Sequence, residues 1–118
     1  MGKTVFHVDD DTDIQTAVKM ILEKDGHAVT SFTDMQGCVD AALSQQPDVM
    51  LLDVMVEHLE SGLEAYDKLK DAMPATKLVF LTSLGEMITP HFEDADHMPH
   101  ILEKPIDHKA LLKVVTEA

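Results

Sequence analysis

The chain has no tryptophan, one tyrosine and one cysteine, and only nine Lys and Arg together among 118 residues. A single cysteine, Cys38, excludes an intrachain disulfide. The fold is therefore expected to stand on its apolar core in a reducing compartment, with Cys38 a small buried residue of that core. Twenty-two acids against nine bases leave a net charge of −13 at pH 7. Nucleic-acid binding depends on Lys and Arg neutralising phosphates, so direct nucleic-acid binding is not expected of such a surface. No apolar run approaches the roughly 20 residues of a membrane helix, and the N-terminus enters a strand without a signal-peptide pattern. Membrane insertion is not expected, and a cytoplasmic location is. No repeat, low-complexity tract, linker-like run or domain boundary is visible, so the expectation is one domain over residues 1–118, long enough for a proper core.

Four short apolar runs end in chemistry-bearing residues. Asp9, Asp10 and Asp11 follow Val5-Phe6-His7-Val8, and Asp53 closes Val49-Met50-Leu51-Leu52. Phe80-Leu81-Thr82-Ser83 ends in hydroxyls, and Ile101-Leu102-Glu103-Lys104-Pro105 ends in a lysine. If the four runs are parallel strands, their C-terminal ends share one sheet edge, and acids, hydroxyl and ammonium converge on one crevice. Carboxylates without a soft ligand select a hard cation, and Mg²⁺ keeps several waters and takes only one or two protein carboxylates. A carboxylate can also accept a phosphoryl group, whose oxygens then need metal, donor and cation. Asp53, Thr82 and Lys104 supply acceptor, donor and cation.

The rest of the chain alternates strands with helices. The pattern predicts β1 over Lys3–Val8, then α1 from a Thr12-x-x-Gln15 capping box, with Asp11 also serving near that start, Ile14, Ala17, Val18, Ile21 and Leu22 at helical spacing and Gly26 as the stop. Next come β2 over Ala28–Phe32 and α2 opened by Thr33-x-x-Gln36, with Val39, Ala42 and Leu43 inward and Pro47 beyond its end. Then β3 spans Asp48–Asp53, apolar on both faces as a central parallel strand should be. Ser61-x-x-Glu64 opens α3, with Leu63, Tyr66, Leu69 and Met73 inward. Finally come β4 over Lys77–Thr82, β5 over Ile101–Glu103 and α5 from about Asp107, with Ala110, Leu111, Val114 and Val115 inward. Five β/α units with right-handed crossovers give an open α/β sheet with helices on both faces.

With these residues in place, the chain closely resembles the receiver (CheY-like) domain of two-component response regulators over essentially its whole length. The marks are Asp9-Asp10 after β1, Asp53 after β3, Thr82 after β4 and Lys104-Pro105 after β5. The resemblance implies the flavodoxin-like (βα)5 fold with strand order 2-1-3-4-5. It implies Asp53 as phosphoacceptor, receiving the group from a sensor histidine kinase or phosphotransfer protein, and Mg²⁺ held by Asp9, Asp10, Asp53 and the main-chain carbonyl of Met55. Thr82 and Lys104 would bind the phosphoryl group, and the Lys104–Pro105 bond would be cis. A downstream protein would read the α4–β5–α5 face, where α4 stands for residues 84–99. The chain is then a phosphorylation-controlled binding module, stand-alone or excised from a longer regulator, with only intrinsic phosphotransfer and autodephosphorylation activity.

Three departures from the family pattern stand out. The stretch Val54-Met55-Val56-Glu57-His58-Leu59-Glu60-Ser61-Gly62 lacks the usual proline and reads as one residue longer. Ile101 occupies a switch position that is usually aromatic. The α4 segment shows little apolar periodicity, and Pro90 suits the first position of a short helix capped by Thr89. Two other readings compete: a degenerate receiver acting as a constitutive interaction module, and an Mg²⁺-dependent aspartyl phosphatase. The second needs an acid two residues after the nucleophile, where Met55 stands. His91, Glu93, Asp94, Asp96, His97 and His100 crowd one stretch without a firm ligand spacing and read as a solvated loop. His7 reads as a packed strand residue, and the eight methionines are expected in the core and helix seams.

Overall fold

A computed structural model describes residues 2–53, 59–83, 88–92 and 99–118. The strands are β1 (Thr4–Val8), β2 (Ala28–Phe32), β3 (Val49–Leu52), β4 (Lys77–Thr82) and β5 (His100–Glu103), and they form one parallel sheet in the order β2-β1-β3-β4-β5. This is the expected strand order. Side chains alternate across a strand, so each central strand feeds both faces of the sheet. Phe6, Val8, Met50, Leu52 and Phe80 pack with Met35, Cys38, Val39 and Ala42 of α2 (Met35–Gln45) and with Tyr66 and Leu69 of α3 (Leu59–Ala72). Val5, Val29, Val49, Leu51, Val79 and Leu81 pack instead with Val18 and Leu22 of α1 (Thr12–Lys24) and with Leu111, Val114 and Val115 of α5 (His108–Thr116). Among the described residues no helix is long and apolar enough to cross a membrane.

Two helix starts differ from the capping boxes that the sequence suggests. Asp11, the acid expected near that start, caps α1 in place of Thr12, its side chain accepting from the N–H groups of Asp13 and Ile14. Asp34, not Thr33, caps α2 by accepting from the Gly37 N–H at 2.8 Å. In both cases an aspartate adjoining the Thr or Ser-type signal has the stronger, charged acceptor for the first-turn donors. Helix α3 begins at Leu59, two residues before the predicted Ser61. Gly26 does close α1, at φ +92°, a conformation that favours glycine.

The α4 segment carries two core anchors that its weak periodicity hides. Residues Thr89–Phe92 form a single 3₁₀ turn, and both Ile88 and Phe92 are buried. The Phe92 ring lies 5.3 Å from Tyr66 and 6.0 Å from Phe80, centroid to centroid, and Tyr66 and Phe80 lie 4.9 Å apart. This aromatic triad ties the segment after β4 to α3. Of the residues read as a solvated loop, Glu93, Asp94, Asp96 and His97 lie outside the described residues, His91 falls within the 3₁₀ turn, and His100 is an exposed residue of β5. Met35, Met50 and Met73 fill the core as expected, whereas Met20 is 68% exposed on α1.

Cys38 is fully buried on α2. Burial, with the Asp34 charge adding to it, pushes the thiol up to about 12. The thiolate is the reactive form, so the side chain should be inert in the folded state. At pH 8 a maleimide should label Cys38 fast only after denaturation; labelling of the native protein at the denatured rate would contradict this packing.

Candidate functional site

Parallel register carries the strand ends to one edge. Val8 of β1 pairs with Leu52 of β3, and Leu52 with Phe80 of β4, while Thr82 pairs with Glu103 of β5. Asp9 and Asp53 are each the next residue, and the ladder runs one step further to fix them: the Asp53 N–H donates to the Val8 carbonyl at 3.1 Å and the Asp9 N–H to the Phe32 carbonyl at 3.0 Å. On the other side the Lys104 N–H donates to the Thr82 carbonyl at 3.0 Å, and the Lys104–Pro105 bond is cis, as the resemblance implies. The β1–α1 turn is held by Gln15, whose Nε2 donates to the carbonyls of Asp9 and Phe32 at 2.6 and 2.9 Å. That side chain serves the turn rather than a capping box.

The side chains meet at the lysine. Lys104 Nζ donates to Asp9 Oδ2 at 2.7 Å and to Asp53 Oδ2 at 3.0 Å. Asp9 and Thr82 are fully buried and Asp53 nearly so, while Asp10 is exposed beside them. The other Asp9 oxygen, Oδ1, accepts from the Asp11 N–H at 2.9 Å. Burial alone would raise the Asp9 carboxyl, the largest single influence on it. The contacts with His7, Lys104 and the Asp11 N–H together outweigh burial and hold it below its ordinary value. For Lys104 burial pulls down, but the hydrogen bonds and charges of Asp9 and Asp53 raise it above the ordinary lysine value.

Carboxylate oxygens of Asp9, Asp10 and Asp53 lie within 4.8 Å of one another. Three carboxylates against one ammonium leave two negative charges in this cluster. The donors are all hard oxygens, so the set fits a divalent cation such as Mg²⁺ in charge and in chemistry.

Of the residues singled out in the sequence, the structure brings Asp9, Asp10, Asp53 and Lys104 together. Thr82 stands buried at the end of β4, one strand over from Asp53. Ile101 is half-buried in β5 and packs against the core on the α2–α3 side. Met55 lies outside the described residues, as do Glu57 and His58. The sequence reading missed what His7 does. It is fully buried with Nε2 3.7 Å from Asp9 Oδ2, and the signal was there: residues two apart on a strand share a face.

The arrangement has known counterparts. The profile of the response regulator receiver domain matches residues 5–116. The chain is 36% identical over 80 residues to the probable transcriptional regulatory protein TcrX of Mycobacterium tuberculosis, covering 68% of this chain and 34% of that protein. It is 31% identical over 97 residues to the oxygen regulatory protein NreC of Staphylococcus epidermidis, covering 80% of this chain and 41% of that one. The chain thus spans less than half the length of these relatives. Among solved structures, the BeF3-activated DrrB receiver domain superposes with a TM-score of 0.81 at 28% identity, covering 99% of this chain and 97% of that one. Matching sequence, sheet order and clustered strand-end residues leave one assignment: the chain belongs to the receiver domain family of response regulators.

Proposed function

We propose that Asp53 is the phosphoacceptor of this receiver and that its phosphorylation state sets which partner surface the domain presents. The observation that carries this reading is the Lys104 ammonium bridging two buried carboxylates, Asp9 and Asp53, at the ends of adjacent strands. Asp53 attacks the phosphorus of a phosphohistidine on a sensor kinase or phosphotransfer protein. The P–O bond forms as the P–N bond breaks, and the departing imidazole keeps the electron pair. Asp9, Asp10 and Asp53 would hold Mg²⁺, together with the Met55 carbonyl by the family resemblance, and the cation supplies charge stabilisation to the phosphoryl oxygens. Lys104 adds a second positive charge and Thr82 a hydroxyl donor.

The phosphoryl group adds close to two negative charges at the sheet edge. Lys104 and Thr82 lie on the ends of β5 and β4, so their recruitment biases the adjoining α4–β5–α5 face, which a downstream protein would read. Ile101 offers no ring to swing inward, and coupling is assigned to Thr82 and the segment after it. In this reading the domain is a signalling module of the cytoplasm with intrinsic phosphotransfer and autodephosphorylation only, and it does not itself contact nucleic acid.

Incubation with acetyl phosphate followed by intact-mass measurement tests the acceptor. One phosphoryl group should appear on the wild type, only with Mg²⁺ present, and none on Asp53→Asn. Modification of Asp53→Asn would remove the acceptor assignment, and an unmodified wild type would favour a constitutive interaction module.

A further inference from the structure

His7 is out of place in its strand. It is 0% exposed, its register neighbours are Ser31 on β2 and Leu51 on β3, and its face of the sheet is otherwise built from Val5, Val49, Val79 and Leu81. Neither ring nitrogen has a hydrogen-bond partner among the described residues. Leaving a buried imidazole unpaired is unfavourable, and a valine would complete the apolar layer. The ring nonetheless has a definite aim. Its Nε2 faces Asp9 Oδ2 at 3.7 Å, just beyond hydrogen-bond reach, and that oxygen is the one Lys104 Nζ occupies at 2.7 Å.

One ammonium cannot serve everything at this site. Lys104 divides itself between Asp9 and Asp53, and a phosphoryl group on Asp53 draws it to the new oxygens. Asp9 Oδ2 then loses its formed donor while remaining fully buried; Oδ1 is engaged by the Asp11 N–H, and a cation on the carboxylate still leaves lone pairs of a buried carboxylate to satisfy. We propose that His7 is a positioning residue whose Nε2–H takes over Asp9 Oδ2 when Lys104 turns to the phosphoryl group. The neutral tautomer with the proton on Nε2 suffices, and a small turn of the ring or carboxylate closes the gap. The unpaired nitrogens of the resting state are then a stability cost carried for the phosphorylated one. This inference rests on Asp53 being the acceptor.

Beryllofluoride, a non-covalent phosphoryl mimic, tests it on the whole chain. With Mg²⁺ present, its affinity is measured for wild type, His7→Val, His7→Leu and His7→Gln, alongside melting temperature. Gln is included because its amide nitrogen reaches about as far as His Nε2. The apolar variants should melt higher than wild type yet bind the mimic about tenfold more weakly, the scale at which groups supporting a metal ligand act. His7→Gln should recover to within about threefold of wild type. On the wild type, the His7 Nε2–H resonance should shift downfield and gain exchange protection when the mimic is added, a readout that needs no variant to fold. Wild-type affinity in a folded His7→Val or His7→Leu, or a His7 resonance unmoved by the mimic, overturns the proposal. Failure of the wild type to bind the mimic at all overturns the acceptor reading itself and the proposal with it.

Discussion

Replacing Lys104 by alanine is expected to destabilise the metal-free domain by about 3 kcal/mol, because it leaves two buried carboxylates facing each other without their cation. Breaking a buried pair costs about 3–5 kcal/mol, and the lower end applies because the Lys104 side chain is 16% exposed and that of Asp53 8%. In a domain of this size that corresponds to a drop in melting temperature of roughly 10 °C. The pH dependence follows from the Asp9 carboxyl, which is held below its ordinary value in the fold. A depressed carboxyl contributes stability above its unfolded pKa and loses it as pH falls through the folded value. The gap between wild type and Lys104→Ala should therefore shrink as pH falls through the carboxylate range toward the lowered wild-type value, since in the variant burial is no longer opposed by Lys104 and Asp9 protonates first there.

Mg²⁺ should narrow the same gap at neutral pH, because the cation replaces the missing charge and binds only the folded state. Its affinity should rise slightly in Lys104→Ala as a competing positive charge goes, while the phosphorylated state weakens. Thermal melts over pH with and without Mg²⁺, plus a Mg²⁺ titration, check each part. A large loss of Mg²⁺ affinity in a folded Lys104→Ala would contradict the lysine's placement.

The phosphorylated form is expected to be long-lived. Hydrolysis of the acyl phosphate needs a water in line with the Asp53–phosphorus bond, and in receivers that approach is flanked by the side chains two residues after the acceptor and two after the threonine. Here those residues are Met55 and Leu84, which lie outside the described residues, so the expectation rests on chain position and side-chain chemistry. Neither can orient a water by hydrogen bonding, and both are bulky enough to exclude one. The double variant Met55→Asn, Leu84→Glu should decay faster, and each factor of ten corresponds to about 1.4 kcal/mol of barrier. First-order decay of purified phosphoprotein in excess Mg²⁺ is the measurement. Decay of the wild type at or above the rate of the double variant would assign the water contact to Glu57 or His58 of the longer loop.

The strand-end residues were legible because parallel strands place chemistry at their C-terminal ends irrespective of packing detail. Four apolar runs with Asp9, Asp53, Thr82 and Lys104 at their ends therefore point to one sheet edge, where Asp9, Asp53 and Lys104 meet. Helix starts were less legible, since Asp11-Thr12 and Asp34 beside Thr33 each offer two competent caps, and only the backbone decides which side chain faces the free N–H groups. Phe92 was hidden because a 3₁₀ turn carries no 3.6-residue period, so a buried ring there leaves no stripe to find. The strand pattern does put His7 in the interior of β1. Strand parity puts His7 on the face of Asp9, and what parity leaves open is the ring's aim at Asp9 Oδ2, which a side-chain torsion sets.

Locating the phosphoryl group residue by residue tests the central claim most directly. After acetyl phosphate and Mg²⁺, borohydride reduces an aspartyl phosphate to homoserine, and fragmentation of the peptide spanning β3 reads the position. The account predicts homoserine at position 53 and nowhere else. Homoserine at position 9 or 10, or a phosphoryl group that survives borohydride on another side chain, would contradict it.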